Sequence, residues 1–173
     1  MPEFILYTRG AVAPPIGVPV PWPHPLKWDD LSAIAQGYIE ALFFTECEHG
    51  STRDGDGARK WNHETDSSLP GDVGFSDLAP QTLLAILKDC RAFEESDAWR
   101  TWVDADNAGG ADFEGAPDEA QAGRDFWYTR NGHGCGFWDG DWPEPYASAL
   151  DGAARQFRNV DAYVGDDGLL YLA

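Results

Sequence analysis

Apolar residues recur every three or four positions in three long stretches of the chain, which is the spacing of helices that bury one face. The first helix is predicted over about residues 29–48, where Asp29 and Asp30 suit the N-cap and the first turn. The second begins between residues 77 and 80, and it or a successor continues past Trp102. The third covers about residues 144–158. The pattern therefore predicts a mainly helical region over residues 29–103 and a separate helix closer to the C-terminus.

Two hairpins are predicted on either side of this third helix. The short aromatic runs DFWYTR and CGFWD flank the sequence NGHG, and Asn-Gly is a strong signal for a hairpin turn. Near the C-terminus, DAYVG and LLYLA flank the turn DDG. Residues 124–173 are therefore predicted to form a hairpin, a helix and a hairpin. The expected fold class is α+β, with helices packed on a small antiparallel sheet built from these C-terminal hairpins.

Proline and acidic residues set the predicted domain boundaries. Six prolines lie between Ala11 and Pro25, which disfavours helix, so residues 1–28 are predicted to form an extended proline-rich arm. Residues 29–173 are predicted to form a single α+β domain. Within that domain, residues 104–119 hold six acids and no base among Gly, Ala and Pro, which predicts an acidic loop.

The charge balance is the strongest compositional feature of the 173 residues. Thirty acidic residues against 12 basic ones give a formal net charge of −18. Such a chain is repelled by nucleic-acid phosphates and by anionic membranes, and it is attracted to the positive surface of a nucleic-acid-binding protein. We therefore expect a basic, nucleic-acid-handling protein as partner, with no direct nucleic acid and no membrane. An acidic surface that serves only solubility is the alternative.

The cysteines and the apolar runs indicate a cytoplasmic protein. Three cysteines at wide spacing do not form a disulfide framework, which favours a reducing compartment. The apolar face over residues 33–44 is interrupted by Gln36, Gly37 and Glu40, so no membrane-spanning segment is predicted. The sequence leaves the oligomeric state open.

The twelve residues from Arg130 to Asp141, RNGHGCGFWDGD, carry the candidate chemistry. The favoured interpretation is a tight, glycine-rich turn between two strands. A catalytic alternative uses Cys135 as the nucleophile, His133 as the base and Asp139 to orient that base. Its weakness is that no predicted helix begins just after Cys135 to lower the pKa of the thiol.

A metal alternative joins the sequence CEH to the sequence HGC. Cys47 and His49, together with His133 and Cys135, supply the ligand types of a tetrahedral zinc site. His63 and Asp56 are substitutes for these ligands. The Cys-x-His spacing is tighter than the usual spacing of zinc ligands, so we expect neither a metal nor another cofactor.

Clustering decides whether the acidity can imitate DNA. The −18 net charge, spread over roughly 8,400 Å² of folded surface, averages about one charge per 470 Å², whereas B-DNA carries on the order of one per 100 Å². DNA mimicry therefore requires the acids to lie together. The predicted partner-binding residues are Asp104, Asp106, Asp112, Glu114, Asp118, Glu119, Asp139 and Asp141, and further acids that such a cluster could include are Asp54, Asp56, Asp166 and Asp167.

Four stretches of the chain resemble a family of small acidic proteins of bacteriophage genomes and mobile elements, most of them uncharacterised. They are GYIEALFF, DLAPQTLLAILKDCRAFEE, AGRDFWYTRNGHGCGFWDGDW and VDAYVGDDGLLYL, and the resemblance covers roughly residues 30–172. It implies an accessory protein that acts in the cytoplasm of a bacterial host. In that family a small residue such as Ala usually occupies the position of Cys135, which argues against a Cys135 nucleophile and against the four-ligand zinc site.

Three functions are expected in order. The first is an inhibitor of a host nucleic-acid-handling protein, of the anti-CRISPR or anti-restriction type, with DNA mimicry as one route. The second is a small hydrolase or metal-dependent enzyme that uses His133, Cys135 and Asp139. The third is a structural or virion-associated protein whose proline-rich arm docks on a neighbour.

Overall fold

Five helices and one two-stranded antiparallel sheet form the part of the chain that the structure, a computed structural model, describes, namely residues 26–47, 69, 73–107 and 117–173. The elements are α1 (Ala33–Glu46), α2 (Pro80–Glu94), α3 (Asp97–Asn107), α4 (Glu119–Asn131), α5 (Tyr146–Ala154), β1 (Ala162–Val164) and β2 (Leu170–Leu172), with short 3₁₀ turns at Trp28–Asp30 and Phe75–Asp77. The predicted α+β class is confirmed. No helix in these ranges is both long enough and apolar enough to cross a membrane.

The chain divides into two units, residues 1–31 and residues 32–173. In the first unit, only residues 26–31 are described. They form a 3₁₀ turn in which the backbone N–H of Lys27 donates to the carboxylate of Asp30, 3.1 Å away. Residues 1–25 of the predicted arm lie outside the described residues. All helices and strands named above belong to the second unit.

Helix α1 begins later than the sequence pattern predicts. Its N-cap is Ser32, whose hydroxyl accepts a hydrogen bond from the N–H of Ala35 at 3.3 Å. The preceding Leu31 is extended (ψ 150°), so Asp29 and Asp30 belong to the 3₁₀ turn instead. A serine that satisfies a free N–H in the first turn is a favourable start for a helix.

Helices α1 and α4 form the most extensive helix–helix contact in the described part of the chain. They cross at two glycines. A Cβ at Gly37 would overlap the carbonyl oxygen of Ala120, and a Cβ at Gly123 would overlap that of Ile34. Any side chain at either position would force the two backbones apart. This close approach buries the facing sides of both helices, including Tyr38 and Phe126.

Aromatic side chains fill the core around this crossing. The Phe93 ring of α2 stacks on Phe126 of α4, with 4.6 Å between the ring centroids, and on Phe137 at 5.6 Å. Tyr38 meets Trp127 edge to face at 5.1 Å. Such pairs contribute beyond the area they bury, and they fix the mutual orientation of α1, α2 and α4.

Arg130 is a buried cation at the C-terminal end of α4. Its guanidinium donates to the Tyr38 hydroxyl at 2.8 Å, to the Asp89 carboxylate at 2.9 Å and to the carbonyl oxygen of Arg158 at 2.6 and 3.0 Å. Burial raises the pKa of Tyr38, so the phenol stays protonated and accepts this hydrogen bond. Arg130 thereby joins α1, α2, α4 and the segment after α5, with a carboxylate to balance its charge.

The first predicted hairpin is wrong. Residues 124–131 continue α4, and Gly132 (φ 72°) ends the helix. The N–H of Gly132 donates to the carbonyl of Thr129 at 3.3 Å, and the N–H of His133 donates to that of Tyr128 at 3.0 Å, which is a Schellman end. The Asn-Gly sequence is therefore a helix stop. Residues 124–173 form the end of a helix, a turn, helix α5 and one hairpin.

The predicted acidic loop, residues 104–119, is also wrong at both ends. Residues 104–107 belong to α3, and Asp118 is the N-cap of α4. Residues 108–116 lie outside the described residues. Trp99 and Trp102 supply an apolar stripe that keeps α3 helical through the first acids of this stretch.

The C-terminal hairpin is confirmed. Its register pairs Ala162 with Leu172 and Val164 with Leu170. Leu170 also accepts a hydrogen bond of 2.9 Å from the N–H of Ala79, which attaches β2 to the start of α2. The sheet is therefore built from one hairpin, and helices pack beside it.

Substituting either crossing glycine with alanine tests the helix contact. We expect Gly37→Ala and Gly123→Ala each to lower the free energy of unfolding by about 3 kcal/mol, because the added methyl group meets backbone that cannot rotate away. The measurement is urea unfolding followed by circular dichroism.

Gly152→Ala in α5 is the matched control, because a methyl group there meets open space. It should raise the free energy of unfolding by about 0.5–1 kcal/mol through helix propensity. Equal effects at all three positions would contradict the close crossing.

Candidate functional site

The chain between α4 and α5 forms a turn, residues 137–142, that is anchored at both ends; we call it the anchored turn. Phe137 and Trp142 are buried, whereas the residues between them are exposed. The N–H of Phe137 donates to the hydroxyl of Thr129 in α4 at 3.2 Å. Inside the turn, the Asp139 carboxylate accepts a hydrogen bond from the N–H of Gly136 at 3.2 Å, and the N–H of Asp139 donates to the Gly136 carbonyl at 3.1 Å. The turn therefore holds one backbone conformation against α4.

A buried carboxylate holds the other end of the anchored turn. Asp125 of α4 is 1% exposed, and it accepts a hydrogen bond of 2.7 Å from the indole N–H of Trp142. The side-chain amide of Gln121 donates to both of its oxygens at 3.0 Å. Burial raises the pKa of Asp125 to about 6, these hydrogen bonds oppose the rise, and the nearby charges of Asp139 and Asp141 add to it.

Helix α3 meets the anchored turn through tryptophans. The Trp102 ring lies edge to face with Trp142 at 5.0 Å between centroids and with Tyr146 at 5.2 Å. Asp106 is one helical turn beyond Trp102, and Asp141 is next to Trp142 along the chain. Exposed acids of two elements therefore flank one aromatic contact.

We call four exposed acids beside this contact the acidic face: Asp104, Asp106, Asp139 and Asp141. No Lys or Arg occurs in the sequence from Asn131 to Ala154. Within the described ranges, none of the four carboxylates forms an ion pair. Four of the eight predicted partner-binding residues thus lie on two packed elements and keep their charge exposed to solvent.

The other four predicted partner-binding acids lie elsewhere. Asp118 caps α4 by accepting a hydrogen bond of 2.7 Å from the N–H of Gln121, and it lies 3.9 Å from Arg124. Glu119 is exposed in the first turn of α4, where its charge favours the helix dipole. These two acids have roles in helix α4 itself. Asp112 and Glu114 lie outside the described residues, as do Asp54 and Asp56.

The three catalytic candidates are not assembled into a catalytic set. Nε2 of His133 is buried and lies 3.7 Å from a carboxylate oxygen of Glu46, too far for a hydrogen bond. The Asp139 carboxylate instead accepts the N–H of Gly136. Burial raises the pKa of the Cys135 thiol, and the charges of Asp139 and Asp125 raise it further. A nucleophilic cysteine needs the opposite shift.

The metal candidates do not converge either. Cys47 is buried at the end of α1, where it bridges to Leu69, whereas His133 and Cys135 follow α4. Over residues 26–47, 69, 73–107 and 117–173, no three His, Cys, Asp or Glu side chains are placed to hold a metal ion. His49, His63 and Asp56 lie outside these ranges.

Sequence analysis missed Asp125 because residues 124–131 were predicted as a strand. On a helix, Asp125 shares a face with Ala122 and Thr129, and both of these residues are buried. Extending helix periodicity from Asp118 onwards would have placed an acid on a buried stripe. A buried acid needs hydrogen-bond partners, and Trp142 provides one of them.

Comparisons of the chain with models of known protein families, with curated proteins and with solved structures find no match. The resemblance to acidic phage proteins therefore stays a prediction.

The buried Asp125 predicts a specific dependence of stability on pH. The folded protein keeps the Asp125 proton up to about pH 6, whereas an ordinary Asp releases it near pH 3.8. The folded state therefore binds more protons in this interval, and its stability falls as the pH rises. Relative to Asp125→Asn, the wild-type protein should lose about 3 kcal/mol of unfolding free energy between pH 3.5 and pH 7.

Urea unfolding of both proteins across that pH range measures the difference. Asp166→Asn, at an exposed position in the hairpin turn, is the control and should follow the wild-type curve. Parallel curves for wild-type and Asp125→Asn would contradict a buried, protonated Asp125.

Proposed function

We propose that this protein binds a basic, nucleic-acid-handling protein of a bacterial host and inhibits it by occupying its nucleic-acid site. The acidic face is the observation that carries the proposal. Its four carboxylates are exposed, belong to two packed elements and have no cationic partner among the described residues. The resemblance to phage and mobile-element proteins supplies the setting, an anti-CRISPR or anti-restriction protein in the host cytoplasm.

The physical basis is charge complementarity. A nucleic-acid site presents Lys and Arg side chains spaced to receive phosphates, and these generate a positive potential beyond the protein surface. Exposed carboxylates accelerate encounter with such a surface and favour one docking orientation. Carboxylates already paired within their own chain would contribute little, which is why the solvent-facing state of the acidic face matters.

Position matters more than total charge in this proposal. Averaged over the whole surface, −18 is several-fold less dense than the charge of B-DNA, as the estimate from sequence indicates. Occupation of a phosphate site therefore has to rely on a local group of acids. The anchored turn and α3 provide one on a rigid support, because Trp102 and Trp142 pack beneath it.

Charge reversal at the acidic face tests the proposal. The assay measures DNA cleavage or base excision by three purified targets, namely a CRISPR effector complex, a restriction enzyme and a repair glycosylase. We expect stoichiometric inhibition of at least one of them and weaker binding as salt rises from about 50 to about 300 mM, because ions screen exposed charges. Asp104→Lys with Asp106→Lys should abolish the inhibition.

The matched control makes the same change of charge in the C-terminal hairpin, with Asp161→Lys and Asp166→Lys at exposed positions. It should retain inhibition. Unfolding does not explain a loss in the first variant, because lysines in the last turns of α3 interact favourably with the helix dipole. Inhibition of none of the three targets, or equal loss in both variants, would contradict the proposal.

A further inference from the structure

Trp138 is an exposed tryptophan held on a rigid support. Its residue is 53% exposed, whereas Trp99, Trp102, Trp127 and Trp142 are all buried. The residue before it, Phe137, is fully buried, and Trp142 fixes the far end of the anchored turn through Asp125. With both ends anchored inward, Trp138 has to project outward.

Other exposed apolar side chains differ from Trp138 in their surroundings. Tyr163 is 46% exposed, but its ring stacks on Tyr171 at 5.5 Å between centroids. Leu84 is 38% exposed on α2 and is aliphatic. Trp138 makes no ring contact with another described aromatic residue, and Asp139 and Asp141 are its exposed neighbours. It is therefore an indole face presented beside two carboxylates.

The chemistry of this group is complementary to a guanidinium. A tryptophan face attracts a cation that lies over the ring, and Trp is the strongest of the aromatic side chains in this respect. A carboxylate beside the ring accepts two parallel N–H bonds from arginine. Lysine stacks less well and cannot form the bidentate pair, so the combination favours arginine.

We propose that Trp138, with Asp139 and Asp141, docks an arginine side chain on the basic surface of the protein partner. This inference rests on the proposed function, because it names the recognition chemistry of the same acidic face. The anchored turn is already ordered before binding, so little conformational entropy is lost on docking. A central tryptophan rimmed by polar groups is the usual composition of an interface hot spot.

Binding of fluorescein-labelled deca-arginine and deca-lysine peptides to the full chain at low salt tests the inference. Both peptides carry the same charge, so the ratio of their dissociation constants separates arginine recognition from general attraction. We expect the wild-type protein to bind deca-arginine about fivefold or more tightly than deca-lysine. Trp138→Ala should remove this preference, and Trp138→Phe should keep part of it. Leu84→Ala, which truncates another exposed apolar side chain, should leave it unchanged.

The outcomes separate this inference from the proposed function. If Trp138→Ala keeps the preference for arginine while Asp104→Lys with Asp106→Lys abolishes binding of both peptides, the Trp138 inference is overturned and the acidic face is retained. Failure of the wild-type protein to bind either peptide at low salt would overturn both. Equal affinity of the wild-type protein for the two peptides would overturn the Trp138 inference alone.

Discussion

The close crossing of α1 and α4 is the constraint on which the rest of this structure depends. Gly37 and Gly123 allow the two helix backbones to touch, and no larger residue fits at either position. The crossing brings Tyr38 against Trp127 and within hydrogen-bond distance of Arg130, whose charge is then balanced by Asp89. A buried cation is tolerated here because four hydrogen bonds surround it.

Helix α4 connects this core to the surface. One of its faces packs on α1, and Thr129 and Asp125 hold the two ends of the anchored turn. The turn in turn packs Trp142 against Trp102 of α3, which brings the exposed acids of two elements together. The acidic face is thus a consequence of core packing, and Asp125 links it to pH because ionisation places a charge under Trp142.

The sequence predicts the elements whose signals are periodic. Helices α1, α2 and α5 and the C-terminal hairpin follow from apolar spacing and turn residues. Helix α4 was missed because Asn131-Gly132 suits both a hairpin turn and a helix end, and the aromatic residues before it suit both a strand and a buried helix. Asp125 and Arg130 were missed with it, since their burial is visible only on a helical face. Total charge is in the sequence, whereas its placement depends on the contact between Trp102 and Trp142, which joins residues 40 positions apart.

The most direct test of the central claim is whether an inhibited enzyme can hold this protein and duplex DNA at the same time. Light scattering of the gel-filtered mixture, with labelled DNA present in excess, measures the composition of the complex. Occupation of the nucleic-acid site predicts mutually exclusive binding, with DNA displacing the protein as its concentration rises. A stable ternary complex of enzyme, DNA and this protein would contradict the account.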